Sequence, residues 1–260
     1  MSTLVCFHAH PDDEAMTTAG TMALAADAGH RVVLVVATRG EEGEVAPGVL
    51  PDGVELGEHR SAELIAAAAE IGIHRVEFLG YRDSGMAGEA ANAHPDCFAA
   101  AEVEEAAVRL AGILREEATD VVTVYDEHGG YGHPDHIQVH RVGIRAAELA
   151  GIEHVYEATI DRDHLIALMK ARPAELGDGP LPEDPDDLNL GVAGHLITTR
   201  VDITSVIERK RAAMRAHASQ IPADSFFLQL ADDAYAMAFG TEWFTRRGAA
   251  PGTEETFLPL

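Results

Sequence analysis

Six apolar runs of strand length, none broken by polar alternation, constrain most tightly what this chain can fold into. They are "LVCFHA" (4–9), "RVVLVVATRG" (31–40), "RVEFLG" (75–80), "DVVTVYD" (120–126) and, with weaker patterns, "HVYEAT" (154–159) and "HLITTRVD" (195–202). Strands buried on both faces read this way, whereas a sheet with one wet face alternates. Ala-rich helical patterns near 14–29, 57–72, 101–117, 134–151 and 203–218 lie between and after them. The order β-α-β-α-β-α-β-α predicts an α/β fold with a mostly parallel sheet and helices on both faces. A chain of 260 residues, 47% of them hydrophobic, can bury one sizeable core, so a single domain over 1–260 is expected. The stretch 171–192, rich in Pro, Gly and Asp and without period, reads as a surface excursion or lid. The tail beginning "FGTEWFTRRG" reads as loose at its end, mobile or packed on a neighbouring subunit.

Charge narrows the function classes. The formal net charge is -25, and lysine occurs only at Lys170 and Lys210. Such a surface repels nucleic-acid phosphates and anionic lipid headgroups, which leaves a small, neutral substrate as the better partner. "MSTLVCF" has no basic leader and no run reaches the roughly 18 apolar residues of a membrane span, so a cytoplasmic location is expected. Cys6 and Cys97 have no partnered spacing, so a metal here would be held by His and carboxylate.

In a parallel sheet of this kind ligands gather beyond the carboxyl ends of the strands. Four polar loops fall there: "HAHPDDE", "TRGEEGE", "GYRDSGM" and "YDEHGGYGHPDH". Neither G-x-G-x-x-G after the first strand nor G-x-x-x-x-G-K-[ST] occurs, which argues against dinucleotide and P-loop chemistry. "HPDDE" alone could merely start a helix, with Pro11 in the first turn and acids facing the helix dipole. A second His-Pro-Asp at 133–135, again where a strand gives way to a helix, shifts the balance; the third, at 94–96, follows no strand and adds nothing. His10, Asp13 and His136 can supply two imidazoles and one carboxylate to a divalent cation, with positions left for water and substrate. Asp12 beside them can accept the proton of the attacking water, and His133 can donate to the oxyanion or leaving group.

"AHPDDE" and, about 120 residues on, "YDEHGGYGHPDH" together resemble the paired signatures of the LmbE-like or PIG-L family of zinc-dependent N-deacetylases. "GEHRSAEL" (57–64), "LGYRDSGM" (79–86) and "RAHASQ" (215–220) extend the similarity over most of the chain. The branch containing mycothiol-precursor deacetylase and mycothiol S-conjugate amidase is the most similar. The resemblance implies a Rossmann-like sheet and a metal, zinc or else Fe(II), held by His10, Asp13 and His136. It implies Asp12 as general base, His133 and Tyr131 at the oxyanion with Asp135 orienting His133, and Arg60 and Asp83 on the sugar. The implied substrate is an N-acylglucosamine-containing small molecule, and a homo-oligomer is compatible with the family.

Other ionisable groups have plainer readings. Of 14 histidines, His140 is expected to pack beside the site, while His217 and Glu14 either support it or are structural; "GEEGE" (40–44) reads as a solvated acidic turn. Two rival classes use the same triad: a non-haem Fe(II) oxygenase and a binding module without turnover. Neither requires Asp12 or His133, so those two residues favour hydrolysis. Within hydrolysis, deacetylase, conjugate amidase and secondary-metabolite sugar deacetylase remain open.

Overall fold

The computed structural model describes residues 1–171, 190–250 and 252–260. Strand β1 (Thr3–His8) is buried along its whole length and leads into two short helices, α1 (Asp13–Thr17) and α2 (Ala19–Asp27). Then come β2 (Arg31–Val36), α3 (Leu56–Ile71), β3 (Arg75–Phe78), α4 (Val103–Glu116) and β4 (Val121–Tyr125). The glycine turn α5 (Gly129–Gly132) precedes α6 (Pro134–Ala150), β5 (His154–Thr159) and α7 (Arg162–Ala171). The chain closes with β6 (Thr199–Asp202), α8 (Ile207–Ala216), α9 (Phe226–Gln229), α10 (Asp232–Phe239) and β7 (Thr241–Arg246).

Among the described residues seven strands form one sheet in the order β3-β2-β1-β4-β5-β7-β6. The first five are parallel; β7 runs antiparallel to both β5 and β6. Chain order reverses between β1 and β4, and right-handed crossovers from that point send helices to opposite faces. Accordingly α4 packs on α6, while α2 and α3 pack with α8. The core under both layers is built from the continuous runs, including Phe7, Leu34, Val122 and Leu110, all fully buried. Among the described residues no helix is long and apolar enough to cross a membrane.

Three expectations change. The helix expected over 14–29 breaks at Thr18, whose hydroxyl bonds His8 Nε2 at 2.8 Å. The break exposes the start of α2, where the Glu242 carboxylate accepts the Gly20 and Thr21 N–H groups at 2.9 and 2.8 Å. Part of the expected tail is instead β7, which carries Glu242 inward against the buried ammonium of Lys210 at 2.7 Å. The last residues are not loose either: Glu255 accepts hydrogen bonds from Tyr156 and Thr199, and Leu258 joins the core. The expected excursion at 171–192 lies almost wholly outside the described residues.

Candidate active site

The site sits at the carboxyl ends of β1 and β4, where the strand order reverses and two crossovers leave in opposite directions. From β1 comes His10, followed by Asp12 and Asp13 at the start of α1; from β4, through the glycine turn, come Tyr131, His133 and His136. They border a cavity of about 490 Å³ that also meets Asp83 and the 42–44 loop.

Asp13 lies between two imidazoles. Its Oδ2 is 3.4 Å from His10 Nδ1 and its Oδ1 is 3.3 Å from His136 Nε2. The far nitrogen of each ring is engaged elsewhere: His10 Nε2 reaches Asp135 Oδ2 at 3.2 Å, and His136 Nδ1 reaches the Gly129 carbonyl at 3.2 Å. With a proton on each far nitrogen, the near nitrogens would offer lone pairs beside Asp13, as metal-bound histidines do. His136 Nε2 is buried without a hydrogen-bond partner, a cost a bound cation would remove. Burial alone would push the His10 imidazole down, but the carboxylates of Asp13, Asp135 and Asp83 hold it well above its ordinary value. Burial likewise opposes the charge on Asp13, yet His136 and His10 hold it well below the carboxylate range. A divalent cation would meet the same negative field. The residues gathered here fit a metal: among those described, ligand atoms of His10, His133 and His136 lie within 4.8 Å of one another, and so do those of His10, Asp83 and Asp135.

Asp12 is built differently. It sits at φ 107°, in a region non-glycine residues rarely adopt, so the turn must be held from outside. Its N–H donates to Glu14 at 3.0 Å, and Arg60 donates to its Oδ1 at 3.1 Å and to the Pro11 carbonyl at 2.6 Å. Glu14 is itself fixed by the fully buried His217 at 2.6 Å, so "RAHASQ" supports the Asp12 turn from another helix. Burial raises the Asp12 carboxyl to about 6, with Arg60 pulling it down and Asp13 pushing it up.

His133 Nδ1 accepts the Asp135 N–H at 3.1 Å, the bond of a side chain capping its own helix. Burial and then the neighbouring His10 and His136 lower its pKa to about 4, so the ring is neutral and carries its proton on Nε2. Tyr131 is half exposed, with its ring centre 4.8 Å from that of His136 and 6.2 Å from that of His133. Burial, reinforced by Asp13 and Asp12, raises its phenol, which keeps it a donor.

Two expected roles are revised. The Asp135 carboxylate does not orient His133: it turns back to His10 and to the Ser84 N–H and hydroxyl, because the second residue of α6 faces the loop after β3. Arg60 and Asp83 border the cavity, but protein already engages them. Besides its bonds at Pro11 and Asp12, Arg60 donates to the Gly40 carbonyl at 2.7 Å. Asp83 accepts the Gly85 and Glu42 N–H groups and lies 3.4 Å from His10 Nε2. Both are thus held by protein groups while bordering the cavity. The 40–44 stretch is not a free solvated turn, since Glu41 accepts the Asp83 N–H and Glu42 and Glu44 line the cavity. His140 packs behind the site, its Nδ1 2.9 Å from the Tyr125 carbonyl.

Sequence reading missed the second tier of groups: Ser84 on Asp135, Thr18 on His8, and Asp126 under the glycine turn. The glycines themselves were the available signal for the last. Gly129 approaches so closely that an added Cβ would lie 2.6 Å from His136 Cβ and 2.7 Å from the Ile137 nitrogen.

A Rossmann-like sheet that gathers imidazoles and carboxylates at its switch point, in a set able to hold a metal, is an arrangement suited to a hydrolase. The chain belongs to the PIG-L family, whose model, described as GlcNAc-PI de-N-acetylase, matches residues 5–147. It is similar to the 1D-myo-inositol 2-acetamido-2-deoxy-alpha-D-glucopyranoside deacetylase of Acidothermus cellulolyticus, 42% identical over 258 residues that span 93% of this chain and 87% of that protein. The protein of the same name from Thermobifida fusca is 40% identical over 261 residues, spanning 93% and 91%. Among solved structures, N,N'-diacetylchitobiose deacetylase from Pyrococcus horikoshii superposes with TM-score 0.63 at 23% identity, covering 96% of this chain and 84% of that one. The zinc-inhibited form of teicoplanin deacetylase Orf2 gives 0.61 at 18% identity, covering 96% and 100%. At such identities the structural matches speak to the fold alone.

Proposed function

We propose that this N-deacetylase removes the acetyl group of 1D-myo-inositol 2-acetamido-2-deoxy-alpha-D-glucopyranoside, releasing acetate and the free amine in a metal-dependent reaction. The names of its 40%-identical relatives support the substrate. The observation that carries the metal dependence is the buried His136 Nε2, which makes no hydrogen bond yet lies 3.3 Å from Asp13 Oδ1. A zinc ion, or Fe(II), held by His10, Asp13 and His136 would supply Lewis-acid activation and a water of lowered pKa.

The chain's own groups divide the remaining work. Asp12 accepts the proton of the attacking water; its Oδ1 is held by Arg60, which fixes where that proton is received. His133, neutral with Nε2–H, and Tyr131, with its phenol intact, donate to the oxyanion that grows on the amide carbonyl. An amide nitrogen leaves only when protonated, and Asp12, now carrying the proton, delivers it. The carboxylates of Asp135 and Asp83 keep the His10 ring from rotating between turnovers.

The test is amine release from the inositol glycoside and from N-acetylglucosamine, before and after chelation and with zinc or Fe(II) restored. Turnover of the glycoside that chelation abolishes and metal restores is expected. Undiminished turnover in the chelated, metal-free protein would remove the metal from the reading; release from N-acetylglucosamine alone would remove the inositol.

A further inference from the structure

At the carboxyl end of β4 the buried carboxylate of Asp126 gathers a whole turn onto itself. Its Oδ1 accepts the His128 and Gly130 N–H groups at 3.0 and 2.9 Å, and its backbone carbonyl accepts the Gly129 N–H at 2.9 Å. Its Oδ2 accepts the Thr159 hydroxyl at 2.5 Å, which registers the turn against β5. The turn needs such an anchor. Gly129, Gly130 and Gly132 all lie at positive φ, 64°, 70° and 92°, and glycine has the most freedom to lose on ordering.

Two groups that this turn places belong to the site. The Gly129 carbonyl receives His136 Nδ1 and so decides which nitrogen of that ring is left to face Asp13. Tyr131, next but one along, stands beside both His136 and His133 at the cavity.

We infer that Asp126 is a positioning residue for deacetylation: by clamping the 128–130 turn it sets the His136 tautomer through the Gly129 carbonyl and sets the place of Tyr131. It touches no reacting atom. The part concerning turnover rests on the proposed function, whereas the part concerning His136 stands without it.

Asp126→Ala removes all three side-chain hydrogen bonds; Asp126→Asn keeps an oxygen for the two N–H groups. Zinc affinity of the metal-free protein, measured by competition with a chromophoric chelator, should weaken about 10-fold in the alanine variant, as loss of a ligand's outer support does, and recover in the asparagine variant. With the inositol glycoside, Asp126→Ala should lower kcat with KM little changed, and in a Tyr131→Phe background the same change should cost clearly less, because coupled groups are not additive. Unaltered zinc affinity with full additivity would overturn the inference, as would an asparagine variant no better than alanine. Should Asp126→Ala fail to fold, Thr159→Val, which cuts one tie, carries the same cycle with a smaller effect. A wild-type protein inert toward the glycoside would sink the substrate reading, and the zinc titration would still judge Asp126.

Discussion

The two ends of the sheet carry dense charge in opposite ways. At the amino end, Arg31 and Arg75, which open β2 and β3, meet Glu117 just beyond α4. Arg75 also reaches Glu77 at 2.7 Å and Glu116 at 2.9 Å, so cations and anions there interleave. At the carboxyl end, the carboxylates of Asp12, Asp13, Asp83 and Asp135 are gathered around His10, His133 and His136, with one guanidinium, that of Arg60, on Asp12. Paired surface charges contribute little beyond local order. Buried carboxylates facing imidazoles leave their balance to protons or to a cation, which is what a hydrolytic centre requires. The difference between the ends is thus the difference between charge used for structure and charge used for chemistry.

Removing the Asp12 carboxylate, the proposed base, should break that contrast most visibly. Asp12→Asn keeps an oxygen for Arg60 and leaves His10, Asp13 and His136 in place. We expect kcat to fall about 1,000-fold, roughly 4 kcal/mol of barrier, while zinc binding and the thermal midpoint stay near wild type. Steady-state kinetics with a melting curve checks this. A variant retaining a tenth of wild-type turnover would move the base away from Asp12. His133→Ala comes next. Loss of one oxyanion donor costs about 100-fold in kcat with a smaller change in KM. A rise in KM at unchanged kcat would instead make His133 a ground-state contact.

How much of this was legible beforehand follows from the same contrast. The parallel half of the sheet was readable because β1, β2 and β4 are buried on both faces and their sequences are largely apolar without alternation. Of the two antiparallel strands, β6 fell within the expected run at 195–202, but β7 was not expected. β7 reads "TEWFTR", alternating and carrying Glu242, whose burial makes sense only once Lys210, 32 residues back, is seen against it. His10, Asp12, Asp13, His133 and His136 were findable because each sits in a short motif at a strand's carboxyl end. Which way the Asp135 carboxylate turns was not, since that depends on Ser84, 51 residues away. His217 holding Glu14 across 203 residues is the extreme case. Local spacing names the groups that border the cavity; the groups that hold them are chosen by the fold.

The smallest effect is expected at the amino end, and it sharpens the comparison through its pH dependence. Hydrogen bonds from Arg31 lower the Glu117 carboxyl, outweigh the burial that would raise it and, with those from Arg75, bring it to about 2 from an ordinary 4.5. A carboxylate depressed in the folded state stabilises it above the unfolded value, and that contribution is lost as pH falls from about 4.5 through about 2. Because both arginines are partly exposed, solvent screening keeps the gain near 1 kcal/mol at neutral pH. Glu117→Gln should therefore unfold at slightly lower denaturant than wild type at pH 7, and the gap should close toward pH 2. Its kcat should not move, since the cluster lies at the far end of the strands from the cavity. A gap that persists unchanged at low pH would show that Glu117 acts by packing rather than by charge. A change in kcat would show that the two ends of the sheet are coupled, against the division of labour argued from their charges.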